Sequence, residues 1–455
     1  MPLMPSNHVH RATCVCEVCS NNHPFEIPDD LYKDFVKGNV VIFAGAGVST
    51  ESAQVYPHRL LDEIRDELGE EVAMSSLFPD VMSSYCARPN GRAKLLRKIR
   101  ERFSYVQSFP QLYRMATRFH RELSTVPLID SIVTTNWDTY FEKECGAVPF
   151  VSAEDYAFAE IPGRKVFKIH GSIDSYGSII ATRDDYERCY ESLRSGLLGS
   201  TLKLFLATKT VVYVGFSFAD DDFIRILDAL TSEMRGLRPH SYIVTLAKAT
   251  QNRFLEKGLT PIYTDGTFFV SKIKERLVAD GHMLDDDRLD GVGRLLARLV
   301  KIHCSELSKI SVRKYPDNIF GLCYQDGLID CLERILERAK TGEYAQTERV
   351  EKLANTYEFK IRPRKLANGR YHDVAYIDGY VNGLVHLLAD NEFRKAIPIY
   401  YAFGLKGPIS DLDHYKRALR TSNSSSRAEH RWAVKAARKL PDNEELVFHH
   451  TPFLN

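Results

Sequence analysis

Between residues 31 and 280, short apolar runs alternate with longer stretches in which apolar residues recur at helical spacing. The runs are rich in Val and Ile and contain few polar residues, as strands do when helices cover both of their faces. This alternation predicts an α/β fold with a Rossmann-like, mostly parallel sheet and helices on both faces. The runs lie at 40–44, 131–134, 166–169, 211–214 and 241–245, with a weaker one at 261–263.

Beyond residue 280 the pattern becomes mainly helical. Leu, Val and Ile recur there with the spacing of helix faces, and the strand signal fades. We therefore divide the chain into an amino-terminal arm (1–30), an α/β domain (31–280) and a mainly helical domain (281–455). Within the last domain, helices are predicted over 289–302, 327–341, 374–390 and 428–440, with a polar link at 421–426.

Composition and charge exclude several classes of protein. The 455 residues are 44% hydrophobic and 27% charged, and the formal net charge is +1, so the chain has no overall preference for nucleic acid or an anionic membrane. The apolar runs are far shorter than the ~20 residues of a membrane helix, and the first residues lack the apolar segment of a signal peptide. We expect a cytoplasmic protein with no membrane partner. We interpret the basic stretch 92–102 as a solvated helix face or a subunit contact, and we do not expect direct nucleic-acid binding.

The cysteines do not describe a disulfide framework. There are nine, an odd number with scattered spacing, so we expect reduced thiols. Cys14, Cys16 and Cys19, flanked by His10 and His23, offer enough ligands for a structural zinc site. Because no second cysteine pair completes the pattern, we interpret the segment as a reduced arm, with structural zinc as the alternative.

Polar or glycine-rich motifs follow four of the predicted strands directly. Since the carboxyl ends of parallel strands meet at one edge of a sheet, where α/β folds bind ligands, we expect these motifs to converge on one crevice. In chain order they are Gly45-Ala46-Gly47-Val48-Ser49, Thr135-Asn136-Trp137-Asp138, His170-Gly171-Ser172 and Gly215-Phe216-Ser217.

Each motif has a structural interpretation beside the functional one. Gly45 and Gly47 fit a phosphate-binding turn, but a third fingerprint glycine is missing, and an ordinary strand-to-helix turn is equally compatible. Asn136 and Asp138 fit either a ligand site or the capping of the next helix. The imidazole of His170 suits a general base, although an isolated histidine is often structural. The acidic run 220–222 is interpreted as a helix amino terminus, without a metal.

Taken together, the four motifs resemble the sirtuin family, the silent-information-regulator-type NAD-binding enzymes, in order and approximate spacing. The resemblance implies that Asn136 and Asp138 face the nicotinamide and its ribose and that His170 is the catalytic base. It implies that Gly215 and Ser217 hold the adenosine side. The remaining NAD-binding positions that it implies, mostly around the pyrophosphate, are Gly45, Ala46, Gly47, Ser49 and Thr135.

Two departures from the family bear on the reaction. Between His170 and Gly215 the sequence has only Cys189, so the two-pair zinc module of deacylating sirtuins is missing. The segment 52–59 also replaces the family's Gly-Ile-Pro-Asp-Phe-Arg motif. Both features help deacylases bind acyl-lysine peptide and orient NAD, so their loss puts deacylation in doubt. The same departures resemble the NAD-hydrolysing sirtuin domains of bacterial anti-phage defence proteins.

The resemblance therefore implies an NAD+ glycohydrolase that releases nicotinamide and ADP-ribose and acts in defence by depleting NAD+. NAD+ would be its substrate, and catalysis would require no metal. Because unchecked hydrolysis would kill the host, we expect the helical domain to control assembly or to sense a signal, in a homo-oligomer or with a HerA-type ATPase. The alternatives are an NAD-dependent protein deacylase and a catalytically silent NAD- or ADP-ribose-binding assembly subunit.

Overall fold

Seven parallel strands form the centre of the first part of the chain in the computed structural model. Their order across the sheet is β3-β4-β2-β1-β5-β6-β7, and every neighbouring pair is parallel. This confirms the predicted α/β fold class. The strands are β1 (Val40–Ala44), β2 (Ser131–Thr134), β3 (Val148–Phe150), β4 (Lys165–Lys168), β5 (Thr210–Val214), β6 (Ser241–Thr245) and β7 (Leu259–Tyr263).

By its contacts the chain divides into two units, Met1–Ala279 and Asp280–Asn455. Each unit has its own apolar core. Among the described residues, no helix combines the length and apolar character needed to cross a membrane. The structure describes residues 23–49, 55, 58–216, 221–231, 241–247, 251–389, 397–404, 409, 411–421, 427–440 and 449–450. The cysteines of the amino-terminal arm, Ser217 and most of the link 421–426 lie outside these residues.

Strand β1 occupies the position where the order of the sheet reverses. It pairs with β2 on one side and with β5 on the other, and all five of its residues are buried. In open α/β sheets such a reversal opens a crevice at the carboxyl edge, because the connections leave the two neighbouring strands in opposite directions. The topology therefore places a crevice beside the motif that follows β1.

Helices of the first unit cover both faces of the sheet. On one face, α8 to α10 pack against Phe43 of β1 and Tyr213 of β5. On the other face, Phe35 of α1 meets Phe269 of α12. The helices are α1 (Asp29–Val36), α2 (Leu60–Leu68), α3 (Phe78–Ala87), α4 (Gly91–Ser108), α5 (Pro110–Ala116), α6 (Arg118–Ser124), α7 (Tyr140–Cys145), α8 (Arg183–Ser195), α9 (Leu197–Thr208), α10 (Asp221–Thr231), α11 (Gln251–Glu256) and α12 (Gly266–Ala279).

Helices α2, α3 and α4 form a separate small layer between β1 and β2 in the chain. They bury a cluster of their own, including Leu60, Ile64, Val81, Leu95 and Ile99. The basic stretch predicted as a helix face lies in α4.

Three basic side chains of α4 make ion pairs within the unit. Arg92 Nη1 lies 2.8 Å from Asp185 Oδ2, Lys98 Nζ lies 2.9 Å from Glu63 Oε1, and Arg102 Nη1 lies 3.1 Å from Glu63 Oε2. These side chains therefore connect α4 to α2 and α8 and do not form a free row of cations.

The second unit is helical, and its two long helices α14 and α17 pack unusually closely. A Cβ on Gly327 would lie 2.0 Å from the carbonyl oxygen of Tyr376, and one on Gly379 would lie 1.9 Å from that of Tyr324. Glycine at both positions therefore lets the two backbones touch. The helices are α13 (Asp287–Ile302), α14 (Asn318–Glu337), α15 (Thr347–Asn355), α16 (Arg362–Ala367), α17 (Tyr371–Leu388), α18 (Leu412–Thr421) and α19 (Ala428–Ala437).

Two elements differ from the sequence prediction. Strand β3 was not predicted: it has three residues, contains Pro149 and lies at the edge of the sheet, where a residue without an N–H group is tolerated. Helix α14 begins at Asn318, nine residues before the predicted start at 327. Residues 318–328 are all buried, so this half of the helix has no polar face and no amphipathic period to detect.

Candidate active site

A cavity of about 500 Å³ opens at the carboxyl edge of the sheet, beside β1. Three of the four predicted motifs contribute to its wall, and helices α2 to α4, α8 and α10 complete it. The predicted site residues that line it are Ala46, Ser49, Thr135, Asn136, Asp138 and His170. Gly45, Gly47 and Gly215 are not part of the wall, and Ser217 lies outside the described residues.

Asn136 connects the loop after β2 to the loop after β1. Its side-chain Nδ2 donates to the carbonyl oxygen of Gly45 and to Ser49 Oγ, both at 3.1 Å. Because a carbonyl oxygen only accepts, the first bond fixes which end of the amide is the donor. No described residue donates to Asn136 Oδ1, which leaves this atom able to accept a hydrogen bond at the cavity. Asn136 therefore does not cap the next helix.

Asp138 does make a bond at the start of α7. Its Oδ1 accepts the backbone N–H of Tyr140, the first residue of that helix, at 3.1 Å. Its own carbonyl oxygen accepts from Lys168 Nζ, and the same ammonium lies 2.9 Å from Glu142 Oε1. Lys168 is fully buried, so this network fixes the backbone of Asp138 from behind the cavity. The side chain of Asp138 both lines the cavity and supports the helix.

His170 presents a buried nitrogen without a hydrogen bond. Among the described residues, no donor or acceptor meets Nε2 in hydrogen-bond geometry. The nearest charge is Asp222 Oδ2 at 3.4 Å, and the ring of Tyr186 packs edge-on at 5.0 Å between centroids. Both neighbours also line the cavity. The imidazole is therefore held in place while Nε2 keeps its capacity for proton transfer.

Asp222 belongs to a second polar contact in the same wall. Tyr190 donates its hydroxyl to Asp222 Oδ1 at 2.8 Å. Burial and the neighbouring Asp222 carboxylate raise the pKa of Tyr190, so it remains a neutral donor at physiological pH. The carboxylate is thus held between a tyrosine and a histidine. Asp222 and the acidic run that contains it were interpreted from sequence as a helix amino terminus, and α10 does begin at Asp221.

The predicted glycines act behind the cavity, where two loops touch. Gly45 N donates to the carbonyl oxygen of Val214 at 2.8 Å, and Gly47 N donates to that of Gly215 at 3.0 Å. A Cβ on Gly45 would lie 2.7 Å from the carbonyl oxygen of Gly215, and one on Gly47 would lie 2.9 Å from it. These glycines therefore permit the close approach of the loops after β1 and β5. Within this motif, Ala46 and Ser49 are the residues that reach the cavity.

Gly215→Ala should destabilise the protein by about 2–4 kcal/mol. Gly215 has φ of +77°, a left-handed conformation that strains other residues, and an added Cβ would lie 2.8 Å from Val48 N. Chemical denaturation of the full chain measures the change in the free energy of unfolding. Gly177→Ala is the matched control, since a Cβ there meets nothing within 4 Å and should change stability by less than about 0.5 kcal/mol. Equal stabilities for the two variants would contradict this account.

Several residues at the cavity had no signal in the sequence. Leu60, Phe78, Ile99 and Phe103 supply an apolar wall, and each looks like an ordinary core residue of a helix. Further members of the wall are charged or aromatic: Arg59, Asp80, Arg102, Trp137, Arg183, Tyr186, Glu187, Tyr190, Asp222 and Arg225.

Fold and site together define a class of protein. Residues 130–262, from just before β2 into β7, match the SIR2-like domain family. This part of the first unit is therefore similar to SIR2-like domains, which confirms the resemblance to sirtuins.

Individual relatives carry more specific names. The chain is 33% identical over 215 residues to the NAD(+) hydrolase ThsA of Enterococcus faecium, a match that covers 46% of this chain and 43% of that protein. It is 30% identical over 259 residues to the NAD(+) hydrolase ThsA of Cytobacillus dafuensis, a match that covers 54% of this chain and 49% of that protein. It is 20% identical over 313 residues to defense-associated sirtuin 2 of Bacillus subtilis, a match that covers 66% of this chain and 29% of that protein. The chain thus spans less than half the length of these relatives.

Proposed function

We propose that the SIR2-like domain hydrolyses NAD+ at the bond between nicotinamide and ribose, releasing nicotinamide and ADP-ribose. The observation that carries the proposal is the buried Nε2 of His170, which lacks a hydrogen bond among the described residues, in a side chain that lines the same cavity as Asn136. A second line of support is the name NAD(+) hydrolase carried by relatives at 26–33% identity. The cavity is also large enough for part of a dinucleotide.

Cleavage of this bond passes through an oxocarbenium-like state, so the site must orient the ribose and deliver water. The C–N bond breaks with its electron pair leaving on nicotinamide, and a water oxygen bonds to the ribose carbon. His170 Nε2 takes the proton that this water, or a ribose hydroxyl, gives up. Asp222, 3.4 Å away, stabilises the imidazolium that results. The step uses only side chains and water, and we assign it no metal.

Asn136 and its neighbours orient the substrate in this proposal. Asn136 Oδ1 accepts from a ribose hydroxyl and the attacking water, while its Nδ2 stays bonded to Gly45 and Ser49. Asp138 faces the nicotinamide and its ribose. Ala46, Ser49 and Thr135 lie along the pyrophosphate, with Gly45 and Gly47 supporting that loop. Gly215 and Ser217 are assigned to the adenosine side.

We further propose that the reaction serves anti-phage defence by depleting NAD+ in the cytoplasm. The word "defense" in the name of the Bacillus subtilis relative supports this role. Because unrestrained NAD+ loss would kill the cell that makes the enzyme, the second unit is proposed to control assembly or to sense a signal. The assembly would be a homo-oligomer, and a HerA-type ATPase is a candidate partner by analogy within the sirtuin-like defence proteins.

The decisive experiment measures nicotinamide and ADP-ribose released from NAD+ by the purified full chain, alone and with any ATPase encoded beside it. We expect both products in equal amounts. An acyl-lysine peptide is added in a parallel reaction. Acylated ADP-ribose in that reaction would replace the proposal by a deacylase. Tight NAD+ binding without release, in both conditions, would identify a silent binding subunit.

A further inference from the structure

A second cluster of polar side chains lies in the helical unit, formed by His303, Asp326 and His449. Asp326 Oδ1, on α14, is 3.1 Å from His449 Nδ1 and 3.7 Å from His303 Nε2. All three atoms lie within 4.8 Å of one another. His303 and Asp326 are buried, whereas the side chain of His449 is 61% exposed. The cluster therefore combines a buried pair with a member that solvent can reach.

The protonation of His303 follows from its neighbour Gln325. Gln325 Nε2 donates to the carbonyl oxygen of Ile399 at 3.0 Å, so its Oε1 is the end that meets His303 Nδ1, also at 3.0 Å. An amide oxygen only accepts, so Nδ1 of His303 carries a proton. In the neutral ring this leaves Nε2 unprotonated. Nε2 then carries a lone pair, and it has no hydrogen bond among the described residues. Asp326 Oδ1 lies 3.7 Å from Nε2.

A buried imidazole nitrogen with a lone pair and a carboxylate oxygen are both ligand atoms for a metal cation. Zinc binds imidazole nitrogen and carboxylate oxygen at ~2.0–2.2 Å, which places two ligands of a tetrahedral ion roughly 3.3–3.5 Å apart. The observed separations of 3.1 and 3.7 Å lie on either side of that value. We infer that His303 Nε2, Asp326 Oδ1 and His449 Nδ1 bind a divalent transition-metal ion of the zinc type, with Gln325 orienting His303 as metal-bound histidines require.

A neighbouring cluster also contains two histidines and one aspartate, but its carboxylate is less suited to bind a metal ion. His372 Nε2 and His450 Nε2 each lie 3.1 Å from Asp373 Oδ1. However, Asp373 Oδ2 already pairs with Arg370 at 2.7 Å and with Lys365 at 3.2 Å. These cations neutralise the carboxylate and repel a metal ion. The side chain of Asp326, by contrast, is paired with no Lys or Arg among the described residues.

The ion would fasten a distant part of the chain to the helical core. His450 N donates to Asp326 Oδ2 at 2.7 Å, so residues 449–450 already contact α14 at this point. Metal binding through His449 would strengthen this contact, because a bound ligand stabilises the folded state that holds it. The site is thus a structural metal site that links residues 449–450 to α14 within the helical unit. It is independent of the NAD+ chemistry proposed for the first unit.

The test compares the wild-type chain with three variants, each protein freed of metal by a chelator and then passed through a desalting column. Zinc chloride is titrated by calorimetry, and bound zinc is counted by mass spectrometry after gel filtration. His449→Ala should bind one zinc fewer per chain than the wild type, and zinc should raise its Tm less. His449 is mostly exposed, so this variant should fold normally. His372→Ala, the matched control at the neighbouring cluster, should match the wild type.

The amino-terminal cysteines could hold zinc as well. The readout is therefore the difference in bound zinc between each variant and the wild type, and not the total zinc content. Asp326→Asn, which keeps the shape of the side chain and removes its charge, should weaken the same zinc by at least about tenfold. Equal zinc content in the wild type and His449→Ala would overturn the inference. So would a loss of zinc in His372→Ala while His449→Ala retains it.

Discussion

Replacing His170 by alanine is expected to lower NAD+ turnover by roughly 10²-fold or more, the usual contribution of a general base. The reason is geometric: Nε2 is buried, lacks a hydrogen bond among the described residues, and lies 3.4 Å from a carboxylate that can stabilise the proton it takes up. Alanine removes the proton acceptor and leaves Asp222 and Tyr190 bonded to each other. Nicotinamide release at saturating NAD+ measures the effect.

The His170 experiment needs a control that separates chemistry from folding. NAD+ affinity, measured by calorimetry, should change far less than turnover, because in the proposed mechanism His170 acts on the reacting atoms. The Tm of the variant should also stay close to that of the wild type. His282→Ala, which removes an exposed histidine, should leave both turnover and Tm unchanged. If the His170→Ala protein turns over NAD+ at a rate within about threefold of the wild-type rate, His170 is not the general base.

The second large effect is expected at Asn136, where alanine should also reduce turnover by roughly 10²-fold or more. Two losses combine in this variant. The oxygen proposed to orient ribose and water disappears, and the two bonds to Gly45 and Ser49 are lost, each worth about 1 kcal/mol of stability. We therefore expect a fall in turnover together with a small fall in the free energy of unfolding.

Ser49→Ala distinguishes the two roles of Asn136. This variant removes one of the bonds between the loops and leaves Asn136 Oδ1 in the cavity wall. If Asn136 acts by orienting substrate, Ser49→Ala should reduce kcat by less than about tenfold. If it acts only by holding the loops together, the two variants should lose similar activity. That second outcome would leave the ribose-orienting role without support.

The parallel sheet could be predicted because its central strands are buried on both faces. β1, β5 and β6 are buried along their whole length, and apolar residues fill β1 and the centres of β5 and β6, a signal that does not depend on knowing their neighbours. Elements whose burial comes from their surroundings were harder to predict. β3 is short and at an edge, and the first half of α14 is buried on every side, so neither has the periodicity on which sequence reasoning depends.

The residues of the candidate site could be predicted where a polar side chain directly follows a strand. They could not be predicted where a helix contributes the side chain. Asn136 and His170 follow β2 and β4, and parallel strands bring their carboxyl ends to one edge, so convergence could be inferred. Asp222 is the second residue of α10, a position where the helix dipole alone favours an acidic side chain. Its approach to His170 depends on how α10 packs, which no local pattern encodes.

By itself the sequence determined which side chains stand at the ends of strands, because the alternation of apolar runs and polar motifs is a local property. Only the tertiary structure decided what those side chains do. In the structure, Gly45, Gly47 and Gly215 allow the loops after β1 and β5 to approach closely. The side chain of Asp222 lies beside His170 Nε2. The tertiary structure also brought His303, Asp326 and His449 together from distant positions. Contacts of this kind depend on packing between elements, which residue spacing along one chain cannot specify.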